Sequence, residues 1–198
     1  MKENKLFVEG GGDTSALKTR CREGFRKLLE NSGMKGHMPR IVACGSRNDA
    51  YDSFSTEHKS KASGYVGLLV DSEDTVANIA KPWEHLKVRD AWERPTGVRD
   101  DQALLMTTCM ETWIIADRAS LKKHYGSKFK ETALPPLTDL EKRHRHDVQD
   151  ALMKATRDCA NSYAKDKRSF DVLSALQRQP LEKLPSFQRV IKILEQNA

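Results

Sequence analysis

The sequence predicts an α/β fold in which a parallel sheet of about four strands is flanked by helices and followed by an all-helical C-terminal part. Two observations lead to this prediction. In the first half, short apolar runs alternate with stretches of helical spacing, as parallel strands joined by right-handed crossovers require. After Pro135 and Pro136, only helical patterns follow. We therefore expect an α/β domain over residues 1–134 and a helical region over residues 135–198 that packs on it.

Four apolar runs are the predicted strands: KLFV (5–8), PRIVAC (39–44), YVGLLV (65–70) and ALLMTTCM (103–110). After the first run, Leu17, Cys21 and Phe25 recur at helical spacing, and Gly33 is a stop signal. Helical stretches also follow the second and fourth runs, at residues 46–62 and 111–126. Between the third and fourth runs, residues 81–101 are predicted to form a long, lid-like connecting segment.

Composition restricts the class of protein. A chain of 198 residues with 38% hydrophobic residues can bury the core of one domain. It contains no apolar run of 18 residues, and its start, MKENKLFVEG, lacks the apolar core of a signal peptide, so we expect a cytoplasmic protein that does not enter a membrane. The net charge of +6 only mildly favours a polyanionic partner. The four cysteines have no CxxC spacing and are interpreted as reduced hydrophobic residues: Cys21, Cys44, Cys109 and Cys159.

Carboxylates follow two of the predicted strands. The third strand ends in LLVDSED, which contains Asp71, Glu73 and Asp74, and the first ends in VEGGGD, which places Glu9 before a glycine turn. The carboxyl ends of neighbouring parallel strands lie at one edge of a sheet, about 4.8 Å apart, so these acids can share an ion. Mg²⁺ prefers such oxygen ligands. The pattern therefore predicts a magnesium site at this edge.

Other interpretations of these residues remain open. Residues 71–74 can be a solvated loop that caps a helix, because Asp and Ser are common N-cap residues. A dinucleotide-binding loop would also use glycines, but GGGD is not GxGxxG, and Glu9 would repel a phosphate unless a metal intervened. A phosphoacceptor receiver domain has acids after its first and third strands, but the glycine turn is foreign to it. The one Lys-Pro pair, Lys81-Pro82, also comes too early for its fifth-strand lysine.

The glutamate before a glycine-rich turn (VEGGGD) and the later strand that ends in an acid pair (LLVDSED) resemble the Toprim fold. That fold is shared by topoisomerases, bacterial primases, recombination-mediator proteins and OLD-type nucleases. More narrowly, nearly the whole chain resembles the bacterial proteins of domain-of-unknown-function family 4276. The segments that carry this resemblance are CREGFRKLLE, MPRIVACGSRNDAYDSF, LLVDSED, PWEHLKVRDAWERP and LLMTTCMETWIIADRASLKKHYG.

The resemblance implies roles for the acidic residues. Glu9 would be the Toprim glutamate, acting as general acid or base and as a metal ligand, and Asp71 and Glu73 would be paired ligands of Mg²⁺ or Mn²⁺. Many Toprim enzymes have Asp where this chain has Glu73, which lengthens the reach of that ligand. Asp74 would be an extra ligand or a helix cap. In METW, Glu111 would support a second metal or, alternatively, only complement the dipole at the start of a helix.

Aromatic and cationic residues interleave in the connecting segment, residues 81–101. Its sequence PWEHLKVRDAWERP suits a nucleic-acid strand, since rings stack on bases and cations meet phosphates. The predicted nucleic-acid-binding residues are His85, Lys87 and Arg89, together with Arg47 at the tip of the second strand. Alternatively, the two tryptophans of the segment form a satellite core and its charges remain in water.

The C-terminal part has helical patterns at residues 137–160, 169–177 and 184–196. Within the first, EKRHRHD places His144 and His146 two residues apart, so on a helix they point in different directions, and no cysteine pair is near. A solvated basic helix is therefore favoured over a zinc site. Further cations follow at Lys154, Arg157, Lys165, Lys167 and Arg168.

Taken together, the residues and the resemblance predict a Mg²⁺-dependent Toprim-type nuclease that cleaves phosphodiester bonds of DNA or RNA. The OLD-type resemblance implies a setting in bacterial defence against phage or mobile DNA, beside a partner ATPase. A fold does not fix a function. The competing hypothesis is a non-catalytic nucleic-acid-binding or regulatory subunit that docks on a separate ATPase.

Overall fold

A computed structural model describes residues 2–165 and 167–198 of the chain, and the backbone alone of Lys167. The side chain of Lys167, predicted as part of the basic C-terminal half, lies outside the described residues. Across those residues, none of the helices has both the length and the apolar character that crossing a membrane would need.

The sheet has four parallel strands: β1 (Lys5–Val8), β2 (Arg40–Ala43), β3 (Val66–Asp71) and β4 (Ala103–Met106). Their order across the sheet is β2-β1-β3-β4, and Val8 at the end of β1 pairs with Ala43 of β2 and with Leu69 of β3. The predicted α/β fold with a parallel sheet of four strands is therefore confirmed. The fourth predicted strand ends earlier than its apolar run, because residues 107–109 already turn into a helix.

Helices connect and follow the strands. Their bounds are α1 (Ser15–Leu29), α2 (Arg47–Ser60), α3 (Pro82–Asp90), α4 (Met110–Ala116), α5 (Arg118–Tyr125), α6 (Arg145–Thr156), α7 (Lys167–Leu173), α8 (Arg178–Leu181) and α9 (Pro185–Gln196). The connecting segment contains a helix, α3, that its polar composition did not predict. The helix predicted over residues 111–126 is divided at Asp117, whose carboxylate caps α5 by accepting a hydrogen bond from Ser120 N at 3.0 Å.

Alternate side chains of the strands enter two separate hydrophobic cores. On one face, Leu6 and Val8 lie in a core with α1, α4, α5, α6, α7 and α9. On the other, Phe7 and Leu68 pack against α2 and α3. Period-two alternation along buried strands thus places helices on both faces of the sheet, as parallel sheets require.

Helices from the C-terminal part pack directly on the sheet and on α1. Helix α7 lies against α1 at Gly24, where an added Cβ would be 2.9 Å from the carbonyl oxygen of Phe170. Helix α9 lies along β4, and Arg189 donates a hydrogen bond to Ala103 O at 2.8 Å. The packing of α7 on α1 places Lys165, just before α7, at the carboxyl edge of the sheet, 4.0 Å from Asp71.

A glycine loop, Gly10–Gly12, follows β1 and turns the chain into α1. All three glycines have positive φ (125°, 89° and 50°), which side chains other than glycine rarely allow. Gly10 and Gly45 exchange two backbone hydrogen bonds of 2.9 Å, which join the tips of β1 and β2. Glu9 is therefore held by the backbone on both sides of its position.

Candidate metal centre

Three carboxylates converge at the carboxyl edge of the sheet. Glu9, Asp71 and Glu73, the acidic triad, each offer one oxygen, and these oxygens all lie within 4.8 Å of one another. Strand pairing explains the convergence, because Glu9 N continues the β1–β3 ladder by donating to Leu69 O at 3.0 Å. In addition, Asp71 N donates to Glu9 Oε2 at 3.2 Å. The acidic triad is thus a group of side chains that can hold a metal ion.

Asp71 is the most deeply buried member of the acidic triad. Its Oδ1 accepts a hydrogen bond of 2.8 Å from the backbone N–H of Met110, the first residue of α4. Burial, followed by the charges of Glu9 and Glu111, raises the pKa of Asp71 well above its ordinary value. A cation beside this carboxylate would favour its ionised form.

Glu73 is positioned by an unusual backbone. Its φ of 68° is in the left-handed region, and its N–H donates to Thr108 O at 2.7 Å. The preceding residue, Ser72, donates to Met106 O at 2.9 Å. The acidic loop, residues 71–74, is therefore fastened to the chain that follows β4, and the Glu73 side chain is only 10% exposed.

Four cations neutralise the acidic triad from different elements. Arg47 at the start of α2 lies 3.2 Å from Glu9, and Arg89 near the end of α3 lies 3.2 Å from Glu73. Arg145, the first residue of α6, contacts the same oxygen of Glu73 as Arg89 does. Lys165 is 4.0 Å from Asp71 Oδ2. Carboxylates that would repel one another are thus paired, even before any ion binds.

Asp90 holds two of these arginines in place. Its carboxylate accepts hydrogen bonds from Arg47 Nε at 2.9 Å and Arg47 Nη2 at 2.7 Å, and one from Arg89 Nη1 at 2.5 Å. Burial opposes its ionised form, but the two guanidinium groups prevail and hold the pKa of Asp90 below its ordinary value. The guanidinium of Arg47 also lies 4.9 Å above the ring of Trp92.

Glu111 and Asp74, the other predicted metal ligands, lie outside the group of three. Glu111 is fully buried, and its carboxylate accepts hydrogen bonds from the hydroxyl of Tyr163 at 2.6 Å and from Gln149 at 3.3 Å. Burial and the Glu111 charge raise the pKa of Tyr163, which keeps its hydroxyl a donor. The side chain of Asp74 is 61% exposed and lies 3.6 Å from Arg89.

The aromatic residues of the connecting segment belong to the hydrophobic core. Trp83 and Trp92 are buried on the α2 and α3 face, and Trp92 stacks on Tyr51 with ring centroids 4.5 Å apart. The two tryptophans therefore form the satellite core that was the alternative to nucleic-acid stacking. His85 Nε2 lies 2.8 Å from Ser72 O in the acidic loop, whereas Lys87 is exposed and pairs with Glu93 at 2.9 Å.

A cavity of about 270 Å³ adjoins the acidic triad. Glu9, Asp71 and the glycine loop line it, together with Lys165 and Phe170 from the C-terminal part. Its position, next to two carboxylates of the acidic triad, gives a small ligand room beside a bound ion.

The sequence did not identify three residues of this site, Asp90, Arg145 and Tyr163, and it indicated Lys165 only as one of several cations of the C-terminal part. Arg145 lies in the RHRH run, which was interpreted as a solvated basic helix, and this side chain departs from that interpretation by reaching Glu73. Asp90 had one available signal, since an acid directly after Arg89 in a cationic segment suggests local pairing. Tyr163 and Lys165 lie in a segment with no periodic pattern.

Comparison with known proteins gives one match. A family model described as a domain of unknown function, DUF4276, matches residues 8–195. No curated protein and no solved structure matches the chain.

Proposed function

The chain belongs to the DUF4276 family, and we propose that it is a nuclease of Toprim type that cleaves phosphodiester bonds of nucleic acid with Mg²⁺ or Mn²⁺. One observation carries this proposal: three carboxylate oxygens from the tips of two neighbouring strands lie within 4.8 Å of one another, with arginines around them. Metal-dependent phosphoryl transfer needs both an oxygen-rich metal site and cations that meet the phosphate.

The donor set fits a hard divalent cation. Two oxygens bound to one Mg²⁺ at about 2.1 Å lie no more than about 4.2 Å apart, so small side-chain rotations suffice to bring the acidic triad onto one ion. The site also contains six carboxylates and four cations, which leaves an excess of two negative charges. Its members are Glu9, Asp71, Glu73, Asp74, Asp90 and Glu111 on one side and Arg47, Arg89, Arg145 and Lys165 on the other.

The residues then have distinct roles. When bound by Asp71 and Glu73, the ion would act as a Lewis acid that polarises the phosphoryl oxygen and stabilises the leaving oxygen. Glu9 accepts the proton of the attacking water, and Arg47 holds its carboxylate in position. Lys165 and Arg89 present positive charge to the phosphate, which gains negative charge in the transition state.

A second candidate function also has support. Because four cations pair with the acids, the site is a stable ion-pair network without a metal. A regulatory or nucleic-acid-binding subunit that docks on an ATPase would keep such a network for structure. From the resemblance of the sequence to OLD-type proteins, we propose that either function serves defence against phage or mobile DNA.

A cleavage assay tests the proposal. Purified protein is incubated with single-stranded and duplex DNA and RNA in Mg²⁺, Mn²⁺ or EDTA. We expect cleavage that requires the ion, and we expect Glu9→Gln to abolish it while the circular dichroism spectrum and melting temperature stay close to those of the wild type. Glu3→Gln is the matched control, since this exposed glutamate lies just before β1, at the opposite end from Glu9. Equal activity of Glu9→Gln and wild type would remove the role assigned to Glu9, and a wild type inactive in both ions would favour the regulatory subunit.

A further inference from the structure

Two arginines from opposite sides of the site contact one carboxylate oxygen. Arg89 Nη2 lies 3.2 Å from Glu73 Oε2, and Arg145 contacts the same atom. Arg89 belongs to α3, which follows the acidic loop, and Arg145 begins α6 in the C-terminal part. Both side chains are about one third exposed or less, and Glu73 between them is nearly buried. The carboxylate of Glu73 thus lies in contact with both guanidinium groups.

We propose that Arg89 and Arg145 are a phosphate-binding pair which Glu73 occupies in the metal-free protein and which a divalent ion opens by taking Glu73 as its ligand. The proposal rests on the function proposed above and assigns the ligand of this pair: one phosphodiester group of the nucleic-acid strand. Guanidinium groups bind phosphate and carboxylate oxygens with the same geometry. A phosphate can therefore replace the carboxylate of Glu73 between the two arginines while both arginines stay in place.

The surroundings of the two arginines differ in a way that supports the exchange. Arg89 is also held by Asp90 at 2.5 Å and approaches Asp74 at 3.6 Å, so it stays in place when Glu73 leaves. Arg145, by contrast, forms an ion pair with Glu73 and with no other acid among residues 2–165 and 167–198. Arg145 is therefore the side chain whose charge becomes available when Glu73 binds an ion.

A coupling between the two ligands follows. Without an ion, Glu73 both neutralises the arginines and repels a phosphate that approaches them. When Glu73 binds an ion, the arginines are no longer neutralised by it and the phosphate is no longer repelled. Divalent ion and phosphate strand should therefore bind cooperatively, each raising the affinity for the other.

Binding measured in EDTA tests the pair without any cleavage. A fluorescein-labelled single-stranded DNA oligonucleotide is titrated with wild type, Glu73→Gln, Arg145→Ala and the double variant, and anisotropy gives Kd. We expect Glu73→Gln to bind the oligonucleotide about tenfold more tightly than the wild type, since charge-assisted hydrogen bonds contribute about 1.4 kcal/mol or more. In the double variant this gain should disappear.

Two control variants match the changes. Glu3→Gln removes an exposed carboxylate that pairs with Arg40 at the opposite end of β1 from Glu9, and Arg157→Ala removes an exposed cation at the other end of α6. We expect each to change Kd by less than about twofold, as surface charges usually do. Arg145→Lys, which keeps the charge without the fork, serves if Arg145→Ala does not fold, and we expect it to keep less than half of the gain in the Glu73→Gln background.

The metal side of the exchange gives a second readout. Arg145 competes with the ion for Glu73, so Arg145→Ala should bind Mn²⁺ at least as tightly as the wild type, measured by the quenching of the Mn²⁺ electron paramagnetic resonance signal. A purely structural role of Arg145 predicts the opposite, weaker binding of Mn²⁺ and of oligonucleotide together.

The proposal is overturned if Glu73→Gln binds the oligonucleotide no better than Glu3→Gln in EDTA, or if Arg145→Ala lowers the affinity for Mn²⁺. Failure of the nuclease assignment is a separate result, because it shows as absent cleavage in Mg²⁺ and Mn²⁺ while the gain of Glu73→Gln in EDTA is present.

Discussion

Neutralising Asp71 is the sharpest test of the acidic triad. Asp71→Asn keeps the shape of the side chain and an oxygen that can accept the hydrogen bond from Met110 N–H, but it removes the negative charge. We expect this variant to be more stable than the wild type in EDTA and to lose most of the stabilisation that Mg²⁺ or Mn²⁺ gives the wild type. The two effects have opposite signs, which separates a metal site from an ordinary helix cap.

The size of the first effect follows from the distances. Two carboxylate charges 4.8 Å apart repel each other by about 3.5 kcal/mol at an effective dielectric constant of about 20. The ion pair of Arg47 with Glu9 and the approach of Lys165, whose side chain is 59% exposed, offset part of this repulsion. A net gain of about 1–2 kcal/mol remains, which corresponds to about 2–8 °C in melting temperature for a chain of this length.

The same residue sets a pH dependence. Because the folded-state pKa of Asp71 is raised above its ordinary value of 3.8, its contribution to stability is fully present below that value and is lost as pH rises through the raised pKa. In EDTA, the melting temperature of the wild type should therefore fall more steeply with rising pH than that of Asp71→Asn. The stabilisation by a divalent ion should instead grow with pH, because the ion binds the ionised carboxylate.

Thermal melts of both proteins in EDTA, Mg²⁺ and Mn²⁺ over a series of pH values measure all of these effects. An ion present at about 100 times its Kd should stabilise the wild type by about 2.7 kcal/mol. Asp150→Asn, on the exposed side of α6, is the matched control and should shift stability by less than about 0.5 kcal/mol. A wild type indifferent to both ions, together with an Asp71→Asn variant no more stable at any pH, would refute the reasoning.

Two further variants probe the cations around the acidic triad. Arg89→Ala and Lys87→Ala should each weaken oligonucleotide binding, measured in a non-cleaving ion such as Ca²⁺, and reduce the slope of log K against log salt by about one. The loss of affinity should be larger for Arg89, which contacts Glu73. An unchanged slope in both variants would mean that the connecting segment does not contact the phosphates. Asp90→Asn should lower the free energy of unfolding by about 2 kcal/mol in urea melts, because it leaves two partly buried guanidinium groups without their shared carboxylate. A loss below about 0.5 kcal/mol would show that Arg47 and Arg89 are held by other groups.

The sequence was sufficient to predict the sheet and the acidic triad for one physical reason. Apolar runs of strand length alternate with helices, and parallel strands bring their carboxyl ends to one edge, so Glu9 and the acidic loop had to meet. The helix α3 was not predicted, because Pro82 begins it, its charges surround it, and only Trp83 and Leu86, three residues apart, show its buried side. The break between α4 and α5 depends on one capping carboxylate, which a periodicity argument does not detect.

The basic half of the site could not be predicted in the same way. Arg145 lies 72 residues after Glu73, in a run of cations and histidines that is typical of a solvated helix. Its contact with Glu73 depends on how α6 packs beside α4, which is a matter of tertiary packing rather than of local pattern. The same holds for Tyr163 and Glu111, because a buried carboxylate at the start of a helix does not reveal the hydroxyl that bonds to it.

Arg145 and Lys165 follow the α/β part in the sequence, so they are synthesised after it. Domains form from the N-terminal end as the chain leaves the ribosome, so the sheet and all three acids of the triad are synthesised before either of these cations. Until then, Glu73 and Asp71 lack half of the positive charge that surrounds them in the finished protein. Nascent chains therefore carry the carboxylates of the acidic triad before Arg145 and Lys165 can pair with them. The complete ion-pair network around the acidic triad is thereby postponed until Lys165 has been translated, within the last third of the 198 residues.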